Sequence, residues 1–166
     1  MAENPSVSAA GTVATVDLAC FETRGRVYGI DVLQIREIVR CQEVTPLPRA
    51  PELIEGVIDL RGVVIPVIDL RLRFDMAAMA YTDRTCIIVV EIQGHAGTIL
   101  IGIVVDSVSE VLNIKGDDIE DTPTFGTQLD TAYIFGMAKM EDGVKILLDI
   151  DKVLNAEEIR SLEKLE

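Results

Sequence analysis

The strongest constraint on this chain is an internal duplication. Residues 56–70 read GVIDLRGVVIPVIDL and residues 136–150 read GMAKMEDGVKILLDI. At a constant offset of 80, Gly56 meets Gly136, Val64 meets Val144 and Asp69 meets Asp149. Positions 57, 58, 60, 67, 68 and 70 are apolar in both copies. Upstream, residues 29–39 (GIDVLQIREIV) match residues 102–112 (GIVVDSVSEVL) at an offset of 73, with Gly, Ile, Val and Glu coinciding at 29/102, 30/103, 32/105 and 37/110. The offset grows because the connection 40–55 has 16 residues and the connection 113–135 has 23. Two matched blocks in the same order, differing by one loop insertion, predict two structural repeats. Each is long enough for a small barrel rather than a solenoid unit.

Within 56–70, two apolar β-branched runs flank a short break, which reads as strand, tight turn, strand. The turns of the two copies differ: Arg61-Gly62 in the first, Glu141-Asp142-Gly143 in the second. A shared backbone plan therefore does not demand Arg61. That leaves two readings, a solvated turn arginine or a functional residue.

Composition narrows the class. At 166 residues the chain is one domain or two small ones. Hydrophobic residues make up 49% but aromatics only 4%, with no Trp, so the core is built of Val, Ile and Leu, which favours strands. A net charge of −13 disfavours nucleic acid and anionic membrane surfaces as partners. Aromatic scarcity removes the stacking platforms of an oligonucleotide-binding barrel. No apolar segment approaches the roughly 20 residues of a membrane span, and the N-terminus lacks the basic start and apolar core of a secretory signal. Cys20, Cys41 and Cys86 are widely spaced and odd in number, with no C-x-x-C, which predicts reduced thiols in the cytoplasm, at least two packed in strands.

In chain order, residues 1–14 are expected as a disordered arm. Residues 16–22 and 27–32 form strands around a turn at 23–26, and 32–40 fits helical spacing or strand alternation equally. Three prolines in 45–51 mark an extended connector. Pro66 demotes its own run to an edge strand or a bulge. Residues 70–79 have helical composition and are expected to cap a barrel end. Runs 86–92 and 98–105 form a hairpin, 108–114 a further strand, 115–126 an acidic surface loop, and 132–139 and 144–150 the last two strands. Residues 151–165 carry an apolar stripe of Val153, Leu154, Ile159, Leu162 and Leu165 at helical spacing. About ten short strands without a βαβ rhythm indicate an all-β protein.

No catalytic constellation emerges. His95, the one histidine, lies in the glycine-rich hairpin turn and reads as exposed there, with no nucleophile to serve. Four Cys and His residues in total, none closely spaced, argue against a zinc site. The acids Asp117, Asp118, Glu120 and Asp121 lack calcium-loop spacing. Asp69 and Asp149 resemble a catalytic pair, but helix N-caps for the segments that follow explain both. No glycine-rich phosphate loop occurs. A binding module without cofactor or metal is the reading from the residues.

The connector followed by Gly56-Val57-Ile58-Asp59-Leu60-Arg61-Gly62-Val63-Val64-Ile65-Pro66-Val67-Ile68-Asp69-Leu70 resembles the signature of CheW-type chemotaxis coupling proteins. Gly29 to Val32 with Glu37-Ile38, and residues 102–112, resemble that family as well. The match covers roughly 15–155. Asp59 stands where the family more often has Asn, and both can cap a turn. Residues 95–98 look slightly longer than usual. The resemblance implies two SH3-like five-stranded β-barrels packed together, approximately 15–83 and 84–155 and possibly sharing strands. Short capping helices and a C-terminal helix over 156–166 complete that fold. It implies a cytoplasmic, non-enzymatic adaptor joining chemoreceptor tips to the regulatory domain of the histidine kinase CheA. It places Ile35, Glu37, Arg61, Val108 and Val111 at the receptor contact, along an apolar groove in the seam, with Arg61 offering a five-donor fork. The strand before the turn, Gly56, Val57 and Asp59, is expected at the kinase contact, because an edge strand can meet another barrel's edge. A CheW-like adaptor of another receptor–kinase pathway, and a β-barrel enzyme using Asp69 and Asp149, are the alternatives.

Overall fold

The computed structural model describes residues 15–23, 26–40, 42–48, 54–70, 82–120, 134–140, 143–154 and 156–163. The expected arm 1–14, the helix over 71–79, Cys41, residues 121–126 of the acidic loop, and Leu165 lie outside the described residues. Eleven strands are named among those described. They are β1 Thr15–Thr23, β2 Arg26–Asp31, β3 Ile35–Arg40, β4 Ile54–Leu60, β5 Val63–Asp69, β6 Cys86–Gly94, β7 Gly97–Val105, β8 Ser107–Lys115, β9 Ile119–Glu120, β10 Ile134–Met140 and β11 Gly143–Leu148. Short 3-10 turns occupy Val32–Gln34, Gly116–Asp118 and Ile150–Lys152, and helix α1 spans Ala156–Glu163.

The strands form two sheets, in the orders β8-β1-β2-β11-β10-β9 and β3-β6-β7-β5-β4. Each curls around its own apolar interior, giving two SH3-like barrels. Leu18, Ile114, Ala138 and Leu147 fill the first; Ile58, Ile65, Val67, Ile87, Val89 and Val104 fill the second. A larger third core lies between the barrels. Phe21, Tyr28, Ile30 and Leu148 come from one sheet, and Ile88, Val90, Ile92, Ile101, Ile103 and Val105 from the other. This explains why β6 and β7 read as near-continuous apolar runs: one face lines a barrel and the other the seam. Phe21 and Tyr28, opposite each other in β1 and β2, stack with centroids 5.7 Å apart, and burial pushes the Tyr28 phenol up.

The duplication is visible in the topology. β2-β3-β4-β5 correspond to β7-β8-β10-β11, and β1 corresponds to β6. The hairpins are exchanged: β1-β2 completes the barrel of β8, β10 and β11, while β6-β7 completes that of β3, β4 and β5. Parallel pairings at equivalent positions seal the exchange, Val67 with Gly102 and Leu147 with Gly29. The expected boundary at 83/84 therefore falls between strands of one sheet, and neither barrel is a contiguous stretch. Bulges are duplicated too: the register skips Arg36 and Ser109 on one equivalent strand pair and Glu55 and Phe135 on another.

Three expectations change. Pro66 is in neither an edge strand nor a bulge, since β5 lies between β7 and β4. Val57, opposite Pro66, spends its N–H and C=O on Thr45, both at 2.9 Å, so the Val57–Pro66 pair is not hydrogen-bonded. On the other side, the parallel pairing with β7 starts at Val67, immediately after the proline. Residues 119–120, expected in a loop, form β9 against β10; the Thr45–Val57 bridge holds the matching place in the other barrel. The segment 32–40 is a 3-10 turn followed by a strand, which is why both periodicities fitted it.

The C-terminal segment closes the seam. Val153, Leu154, Ile159 and Leu162 are buried in the central core. Asp149 caps the 3-10 turn, accepting a hydrogen bond from Asp151 N at 3.2 Å. Asp69 is buried, and the segment it was expected to cap lies outside the described residues. His95 is not merely exposed: it meets Glu163 at 3.2 Å, while Glu163 accepts from Ala96 N at 3.0 Å. Asp151 accepts from Gln93 N at 3.1 Å and Gln34 Nε2 at 3.3 Å. Cys20 is buried in β1 and Cys86 half-buried in β6, neither in a disulfide. No helix among the described residues is long and apolar enough to cross a membrane.

Candidate functional site

The site begins with the turn between β4 and β5. Leu60 pairs with Val63, leaving Arg61 and Gly62 as a two-residue loop with φ of 52° and 88°. Positive φ at both central positions defines the primed turn that matches strand twist, and its usual first residue is Asn, Asp or Gly. Arg61 is the one non-glycine residue with positive φ among those described. A side chain held in that region is a reason to look for a function. Asp59 steadies the turn: its Oδ1 accepts from Gly62 N at 2.8 Å.

Arg61 reaches across to Glu37. One guanidinium nitrogen bonds Glu37 Oε1 and the other lies 3.3 Å from Oε2, a two-pronged contact. The Glu37 carboxylate holds the guanidinium above its ordinary range. Arg61 remains 71% exposed in its side chain, so its outward edge is open to a partner. Glu37 can receive it because of the bulge at Arg36. Ile35 pairs with Val90 on the seam face, and Glu37 with Val89 on the face of the barrel interior. Without the extra residue both side chains would share one face.

The matching edge strand β8 is built the same way. Its bulge at Ser109 puts Val108 opposite Phe21 on the seam face, and Val111, opposite Ala19, on that same face. Ile35 and Val108 both pack, partly buried, against the central core, while Val111 is 64% exposed. Of the five residues expected at the receptor contact, the structure joins Glu37 to Arg61 directly. It sets Ile35 and Val108 on the two edge strands flanking one core, and leaves Val111 exposed further along β8.

The three residues expected at the kinase contact divide differently. Gly56 is buried: an added Cβ would lie 2.2 Å from Thr45 O. It lets the connector approach β4 and is no contact surface. Val57 is half-buried, and its backbone edge is already paired with Thr45. Asp59 is exposed but spends one oxygen on the turn. The expected edge-to-edge contact is thus closed at Val57. Beside Asp59 in the ladder stands Val64, 54% exposed, and Ile38 on β3 is 42% exposed. Sequence reasoning missed both. The available signal was the repeat, since Val64 matches Val144 and Ile38 matches Val111, and those counterparts are 51% and 64% exposed.

Among the described residues no group of three or more His, Cys, Asp or Glu is placed to hold a metal ion. What the described surface offers is exposed edge strands, apolar positions and an arginine braced by a carboxylate at a strained turn. These features define a two-barrel protein-binding module. The model of the CheW-like domain matches residues 17–158. The chain therefore belongs to the CheW family, whose members are non-enzymatic scaffolds of chemotaxis. It is 35% identical to the chemotaxis protein CheW of Klebsiella aerogenes, over 94% of this chain and 92% of that one. It is 36% identical to its Bacillus subtilis counterpart over 85% and 88%. The crystal structure of the scaffolding protein TtCheW from Thermoanaerobacter tengcongensis superposes with a TM-score of 0.76 at 36% identity, covering 86% of this chain and 96% of that one.

Proposed function

We propose that this chain couples the cytoplasmic tips of chemoreceptors to the regulatory domain of the kinase CheA, binding both and transforming neither. The observation that carries the receptor half is the Arg61–Glu37 clasp on an edge strand that also bears a seam-facing apolar residue. A helical hairpin tip needs apolar anchors and a few polar ones. Ile35, Val108 and Val111 supply the former. Arg61, held by Glu37 and open on its far side, supplies the latter. On the kinase side the contact runs through Val57 and Asp59, with Gly56 setting the spacing beneath. Because Thr45 occupies the β4 edge, side chains rather than strand pairing make that contact.

Mixing the chain with a receptor-tip fragment and the CheA regulatory domain should give a ternary complex on a sizing column with light scattering. Arg61→Ala should weaken receptor-tip binding by about 2 kcal/mol, the scale of an interface hot spot, with an unchanged thermal melt. Absence of the ternary complex would remove the adaptor reading; undiminished receptor binding would remove Arg61 from the site.

A further inference from the structure

The turn that presents Arg61 carries a second feature the fold does not require. Asp59 Oδ1 accepts the Gly62 N–H at 2.8 Å, across a turn whose two central residues both have positive φ. The counterpart of Asp59 in the second repeat is Lys139, whose Nζ turns away to Glu120 at 3.2 Å. Cap and arginine thus occur together in one repeat and are both missing from the other. A residue with a Cβ does not adopt the left-handed region unaided, and an aspartate accepting a backbone N–H is a local device for holding such a turn.

We infer that Asp59 is the positioning residue of the receptor site: its carboxylate locks the turn in the conformation that aims the Arg61 guanidinium at Glu37 and keeps its far edge open to the receptor. This rests on the receptor-binding reading above, and it gives Asp59 a role through Arg61 in addition to its place at the kinase contact. The bulge at Arg36 sets Glu37 from one side, and Asp59 sets Arg61 from the other. The family's commoner Asn keeps an oxygen able to accept the same bond.

The test titrates the full chain and its variants against a receptor-tip fragment and, separately, the CheA regulatory domain. Asp59→Ala should weaken receptor-tip binding about tenfold, the scale of one lost hydrogen bond to a charged acceptor. Asp59→Asn should restore most of the loss. In an Arg61→Ala background, Asp59→Ala should cost nothing further, because the residue acts through the arginine. Three results would overturn the inference: a silent Asp59→Ala beside a damaging Arg61→Ala, additive losses in the double variant, or a loss confined to the regulatory domain. A silent Arg61→Ala would instead bring down the receptor-site reading and this inference with it. Thermal melts of each variant separate these outcomes from unfolding.

Discussion

The two barrels share a plan and differ in what they do with it. Both have a bulged edge strand with an apolar residue at the seam, at 35 and 108, a glutamate two positions on, at 37 and 110, and an exposed apolar residue beyond it, at 38 and 111. Both have a glycine, 56 or 136, against which another segment presses. Only one has an aspartate-capped turn with an arginine that claims its glutamate. What both halves keep serves the architecture and can also be borrowed for recognition; what one half alone possesses the architecture does not demand.

The sharpest way to break this comparison is at the shared glycines. An added methyl at Gly56 meets the Thr45 carbonyl at 2.2 Å, which is backbone, whereas at Gly136 it meets Ile119 Cγ2 at 2.7 Å and Glu120 O at 3.0 Å. Gly56→Ala should therefore cost about 2–3 kcal/mol in denaturant unfolding, the upper part of the range for overpacking, and Gly136→Ala distinctly less. Equal costs would mean that the two packings are not what separates the positions.

A smaller effect is expected where the C-terminal helix grips the β6-β7 hairpin. The Ala96 N–H, first, and His95 hold the Glu163 carboxyl below its ordinary range. A depressed carboxylate contributes stability that is present above its unfolded value, about pH 4.3, and is lost as pH falls through the folded value. The gap between wild type and Glu163→Gln should be present at pH 7 and should shrink below pH 4. Unfolding midpoints at pH 7, 4 and 3 decide it, and a gap independent of pH would assign the contact to packing alone.

The smallest effect belongs to the unshared turn. Replacing Glu141-Asp142 with Arg-Gly should move stability by no more than about 0.5 kcal/mol and should not strengthen receptor-tip binding. Position 139 is a lysine paired with Glu120 and supplies no cap. A gain in binding would show that an arginine at either turn suffices.

Much of this was legible in the chain. The repeat, the strand character, the turn at 61–62 and the isolation of Arg61 followed from aligning two stretches. The exchange of hairpins was not, because periodicity reports which face of a strand is apolar and never which distant strand lies beside it. Pro66 misled for a related reason: its cost depends on whether the partner pair is hydrogen-bonded, and that is settled by Thr45, twelve residues before Val57. The 32–40 segment was ambiguous because the bulge at Arg36 breaks alternation just where the binding residues sit. Asp59 was assigned to the kinase contact because its strand read as an edge; its capacity to cap a turn was legible, while the Gly62 N–H it accepts is a geometric fact that composition does not carry.

The traded hairpins have one more consequence. Because every barrel contains strands from both halves of the gene, the halves cannot swing about a hinge; relative motion would tear paired strands apart. Unfolding such a chain cannot proceed half by half, since neither half of the sequence owns a complete barrel.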